Sequence, residues 1–125
     1  MSEVDRELFE DLVAEALAAL PDAFQERLDN VAVVVEDWPD RATLRQARLR
    51  HPDELLGFYH GVPQTHRGSH YGLTPPDKIS IYRWPIARRC RTVEELHAMI
   101  TRVLLHELEH HFGIEDDRLA ELNAY

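Results

Sequence analysis

One cysteine, Cys90, stands in a chain of 125 residues. A lone thiol excludes an internal disulfide framework and suits a reducing compartment. Its simplest role is that of a small, half-buried side chain. Basic residues are also scarce: 14 Lys and Arg against 23 Asp and Glu leave a net charge of −9. That balance excludes a general binder of nucleic acid or anionic membrane. No apolar run approaches the ~20 residues that span a bilayer. The first residues lack the charged-then-apolar order of a secretion signal. Internal repeats and low-complexity tracts are missing too. The expectation is a cytoplasmic protein with no nucleic-acid or membrane partner.

What is present is ordinary for one globular domain spanning 1–125, with 44% hydrophobic and 30% charged residues. The charge is unevenly placed. Residues 1–40 hold twelve acids against two arginines, whereas residues 41–125 are nearly balanced. The first third therefore reads as an acidic, solvated face on a roughly neutral body. The arginines at 41, 45, 48 and 50, and at 83, 88, 89 and 91, read as solvated faces paired with it.

Ser2 with Asp5 opens a helix whose apolar residues, from Leu8 to Leu20, recur at i, i+3 and i+4 until Pro21 ends it. "PDAFQERLDN" gives a short second helix. "VAVVVED" (31–37) is a β-branched run that reads as a buried strand, and "RATLRQARLR" (41–50) as a short basic helix limited by Pro52. "LLGFYHG" (55–61) is a second strand. The Gly- and Pro-rich stretch 61–77 is a long loop for so small a domain and reads as a lip over a cleft. "KISIYRWPI" (78–86) alternates as a third strand, with Pro85 suggesting an edge position. Thr92 and Glu95 form a capping box that opens a helix over 93–112, and Gly113 stands where a helix C′ residue belongs. A last short helix covers 116–123. The pattern predicts an α+β class: a small three- or four-stranded mixed sheet packed against helices on one side.

The helix 93–112 carries the chemistry. Taking Val103 as zero at 100° per residue, Leu96, Ile100 and Leu104 fall between about 20° and 100°, while Leu105, Leu108 and Phe112 lie between about 140° and 200°. Two apolar sides imply a helix held between layers. His106 and His110 stack one turn apart at the edge of the core face, at about 300° and about 340°, with Glu107 beside them at about 40°. Two imidazoles at i, i+4 can aim at one point, as a tetrahedral zinc requires of two ligands on one helix.

His106-Glu107-Leu108-Glu109-His110 is thus an HExxH motif, continued by Gly113 and Asp116. HExxH alone arises by chance in roughly one chain of this composition in twenty; the longer string takes that to the order of one in several thousand. Gly113 lets the chain reverse after the helix, bringing Asp116 back beside the imidazoles. A carboxylate there makes a third protein ligand and leaves a fourth position for water, as in catalytic rather than structural zinc sites. Against this stand plainer roles: Asp116 as an N-cap of the final helix, and the histidines as hydrogen-bonded core residues. His111 points about 100° away from His110 and reads as packing. Glu109 reads as solvated.

From "LLGFYHGVP" through "DKISIYRWPI" to "LLHELEHHFGIEDDRL", the chain resembles the zincin-like metallopeptidases, in particular the small bacterial minimal zincins. The resemblance implies a zinc-dependent peptidase-like fold with one Zn²⁺, His106 and His110 as ligands, Glu107 as catalytic base and Asp116 as third ligand. The aspartate, in place of a third histidine, departs from the metzincin pattern. Glu107 would take a proton from the zinc-activated water and pass it to the leaving amine of a peptide or protein substrate. Tyr82, His66 and His70 are candidates for stabilising the oxyanion, and the edge of strand 78–84 could pair with an extended substrate. The alternative is a non-catalytic metal-binding or peptide-binding module on the same scaffold. A His₂Asp set with an open position also suits iron(II).

Overall fold

The computed structural model describes residues 5–28, 31–61 and 77–112, with residues 27 and 110–112 described by backbone alone. The described residues form an α+β arrangement of five α-helices and a three-stranded mixed sheet. Helix α1 (Arg6–Ala18) and α2 (Asp22–Gln25) precede β1 (Val31–Glu36). Helix α3 (Arg41–Ala47) leads to β2 (Gly57–His60), then β3 (Asp77–Tyr82), α4 (Arg83–Ala87) and α5 (Val93–Phe112). No described helix is long and apolar enough to cross a membrane. The expected loop 61–77 lies outside the described residues but for Gly61 and Asp77, and so do Gly113 and the helix 116–123.

Local sequence accounts for most boundaries. The Asp5 carboxylate accepts from the Leu8 N–H at 2.7 Å and caps α1. Asp40 does the same for Thr43 at 2.7 Å and caps α3. That helix ends at Arg48, which turns left-handed with φ of 61°, before Pro52 can act.

The sheet order is β1-β3-β2, with β1 parallel and β2 antiparallel to β3. Two expectations are corrected here. The run 31–36 is an edge strand, buried fully only at Val35. Its β-branched residues at Val31, Val33 and Val35 pack on the core while Ala32, Val34 and Glu36 alternate to the other side. The third strand is the central one, paired along both edges, and so has no edge to offer a substrate. It ends at Tyr82, and Pro85 belongs to the first turn of α4, where a missing N–H costs nothing.

The core fills the space between the sheet and the α1–α5 pair. Phe9, Ala16, Ile79, Ile81, Leu96, Ile100 and Leu104 are wholly buried there. Helix α3 stands apart from that core; its Thr43 meets Tyr82, so the helices are not all on one side of the sheet. The β1 edge is guarded by Arg6. Its guanidinium donates to the Val35 carbonyl, bonds Glu10 at 3.0 Å and lies 3.6 Å from Asp37. A charged side chain on an edge carbonyl blocks pairing with another chain.

At the other side of the sheet β2 presses directly on α5. A Cβ at Gly57 would stand 2.6 Å from Val103 Cγ1 and 3.2 Å from the Ser80 carbonyl oxygen. Valine is stiff at χ1, so this contact has little give. Gly57→Ala should lower stability by about 1–3 kcal/mol in urea denaturation. Adding Val103→Ala should recover part of that loss, so a strictly additive pair would refute the contact as the cause.

Candidate active site

Helix α5 begins at Thr92, whose Oγ1 accepts from the Glu95 N–H at 3.1 Å. The Glu95 carboxylate reaches back to the Arg91 N–H at 2.8 Å, one residue earlier than in the standard capping box. Leu96, Ile100, Leu104, Leu105 and Leu108 are all buried, so both apolar sides of the helix are covered. Of the motif residues on this helix, His106 is exposed and Glu107 is half-buried. Glu109 is half-buried rather than fully solvated.

His106 and Glu107 share the wall of a cleft of about 430 Å³. Met99, Arg102 and Val103 continue that wall toward the start of the helix, and Leu55, Leu56 and Gly57 form the facing one. The sequence reading missed this facing wall. Its signal was Gly57 inside a strand pattern, which marks a close backbone approach.

The register fixes which way the backbone points beside the cleft. The Tyr82 N–H donates to the Leu56 carbonyl at 3.0 Å, making Leu56 and Tyr82 a hydrogen-bonded pair. Bonded and non-bonded pairs alternate along antiparallel strands. Gly57, opposite Ile81, therefore turns its own N–H and C=O away from β3, toward the side of β2 on which no other described strand lies.

The sequence matches the zincin-like metallopeptidase family over residues 28–125, which includes β2, the cleft and all of α5. The chain belongs to that family. No curated protein matches it. Among solved structures, a conserved hypothetical protein of T. thermophilus shares the fold. It is 24% identical with a TM-score of 0.56, over 94% of this chain and 98% of that one.

Zincin-like scaffolds carry zinc, and the donors in the cleft suit that ion. His106 offers an accessible imidazole and Glu107 an adjacent carboxylate, nitrogen and oxygen groups of the kinds zinc accepts. His110 follows one helical turn later; its side chain, with Asp116, His66 and His70, lies outside the described residues. Among the described residues no three His, Cys, Asp or Glu side chains converge.

Tyr82 is not brought to the cleft. It is buried on the sheet face opposite α5, hydrogen-bonded with Ser80 and Thr43. Strand alternation explains this: Ile79 and Ile81 face the core, so Ser80 and Tyr82 face away. Burial pushes the Tyr82 phenol above its usual value, and those two hydrogen bonds oppose the shift. Cys90 is buried against Met99, with its thiol pushed up by the same cause.

Around Ser80 the far face holds a polar chain. Its hydroxyl donates to Glu36, and His60 Nε2 lies 3.2 Å from the same oxygen. The serine stands between base and acid rather than at the end of a triad, so the order does not make a nucleophile. Burial holds His60 below its usual 6.5, Lys78 adds to this, and Glu36 and Asp40 oppose it. The unfolded chain thus binds a proton more readily. The stability contributed by this group is complete above the unfolded value and falls as the pH drops below it. His60→Gln should flatten the fall in urea midpoint as the pH drops below about 6.5. An unchanged slope would exclude His60 as its source.

Proposed function

We propose that the protein is a zinc-dependent metallopeptidase, hydrolysing a peptide bond with Glu107 as general base. The observation that carries the reading is the shared cleft wall of His106 and Glu107, on the helix that bears the HExxH string. His106, His110 and Asp116 would hold the ion. When bound, zinc supplies Lewis acidity at the reacting water and carbonyl.

The remaining work falls to the chain. Glu107, half-buried in the cleft wall, takes a proton from the attacking water and delivers it to the leaving amine. The outward-facing N–H and C=O of Gly57 orient an extended peptide as an added strand on β2. This replaces β3 as the pairing edge. Tyr82 has no part in the scheme, while His66 and His70 remain the proposed oxyanion partners. The substrate is a peptide or protein; nucleic acid and membrane are not partners. The lone thiol favours the cytoplasm.

The test compares zinc content with hydrolysis of a broad peptide library. Glu107→Gln should keep its zinc and lose turnover by roughly 10²–10⁴-fold. His106→Ala should lose both. Wild-type activity should peak at neutral to mildly alkaline pH, since an aspartate ligand makes the bound water less acidic than three histidines would. A clear acidic optimum would count against the ligand set. A wild type that holds zinc yet cleaves no library member would make this a peptide-binding module on a zincin scaffold.

A further inference from the structure

We propose that the cleft selects a substrate with a large apolar side chain next to a carboxylate, and that Arg102 is the residue that reads the carboxylate. The inference rests on the peptide reading of the same site and names the substrate class.

The two walls of the cleft are largely apolar at one end. Leu55 and Leu56 on one side face Met99 and Val103 on the other, at the end of the cleft away from Glu109. The space, about 430 Å³, falls within the range of small-ligand sites and admits one bulky side chain. Gly57 keeps the walls from filling the gap themselves, because β2 meets α5 there without a side chain between them. Burying a leucine-sized group in such a place strengthens binding roughly ten- to a hundredfold.

The charged groups follow an order along α5. Arg102 is exposed in the cleft wall one turn before His106, about 6 Å along the helix axis. Among the described residues it has no ion-pair partner. Glu109 lies about 10 Å further along the same helix, so the wall runs from positive to negative with the candidate zinc ligand between. A substrate anion is held at the Arg102 end, where a guanidinium fork matches a carboxylate. The overall charge of −9 does not cancel this. The acidic excess sits in residues 1–40, and salt screens charges beyond about 8 Å. The carboxylate belongs to an acidic side chain or to a peptide C-terminus.

Fluorescence anisotropy on zinc-loaded Glu107→Gln protein reads binding without turnover, and wild-type cleavage of the same peptides is measured in parallel. The probes are end-blocked Ala-Asp-Leu-Asp-Ala, Ala-Asp-Ala-Asp-Ala and Ala-Lys-Leu-Lys-Ala. Ala-Ala-Leu with a free or amidated end separates the two carboxylate sources. Leucine should beat alanine by roughly tenfold or more, and aspartate should beat lysine by roughly three- to tenfold. Adding Arg102→Gln should abolish the aspartate preference and leave the leucine preference intact; Arg102→Glu should turn the preference toward lysine. Binding to none of the peptides, equal binding of the leucine and alanine forms or of the aspartate and lysine forms, or an aspartate preference that survives Arg102→Gln overturns the proposal. Discrimination in binding with no cleavage by wild type sustains it and overturns the peptidase reading instead. Cleavage without discrimination does the reverse.

Discussion

Where Gly57 meets Val103 there is space for a hydrogen atom and nothing larger. That closeness governs the distance between β2 and α5, and with it the width of the cleft. A side chain at 57 would push the strand outward, parting the Leu55–Leu56 wall from the Met99–Val103 wall. It would also draw the outward-facing Gly57 backbone away from His106 and Glu107. The same glycine thus narrows the apolar end of the cleft and sets a strand edge beside His106 and Glu107. Conformational freedom is not its purpose here. Its use is the missing Cβ.

A three-stranded sheet has two edges, and this one treats them differently. The β1 edge is occupied by Arg6, whose guanidinium ties the Val35 carbonyl to the start of α1 and to Glu10 and Asp37. The β2 edge runs beside the cleft. Edge strands invite pairing; the guarded edge avoids that hazard, and the other is the one the proposed function assigns to the substrate. The charge distribution follows the same division. Helix α1 packs on the far side of α5 and along β1, carrying the acidic segment with it, whereas Arg102 stands on the cleft side.

Helix α5 was the most legible part of the sequence because its signals are local. Thr92 and Glu95 mark its start, the leucines and isoleucines mark its two covered sides, and His106 and Glu107 of the HExxH string line the cleft beside them. Strand order is a different matter, since it depends on pairing between segments far apart in the chain. The "VAVVVE" run looks more apolar than "DKISIY", yet the second is central and the first is an edge. Ser80 belongs in the middle because Glu36 and His60 satisfy its hydroxyl from both neighbouring strands. No periodicity could reveal that network. Tyr82 was misjudged for the same reason: alternation says that it opposes Ile81, but not which face meets α5.

The position of His106 on a long helix rather than a loop bears on how a chain of this size could hold a reactive geometry. Leu104 and Leu108, wholly buried, flank it in sequence, so its backbone is fixed by packing on both sides. Rotating α5 to move His106 by one position would carry these leucines out of the core, at several kcal/mol for two such side chains. Glu107 shares that restraint through the same turn. The cleft's facing wall is held just as firmly, because β2 hangs from β3 by the sheet and leans on Val103 through Gly57. Two rigid surfaces meeting at one glycine leave little freedom for the groups between them. The proposed hydrolysis needs a base at fixed distance from the reacting water, and packing of α5 and β2 in the core restrains the backbone that carries Glu107.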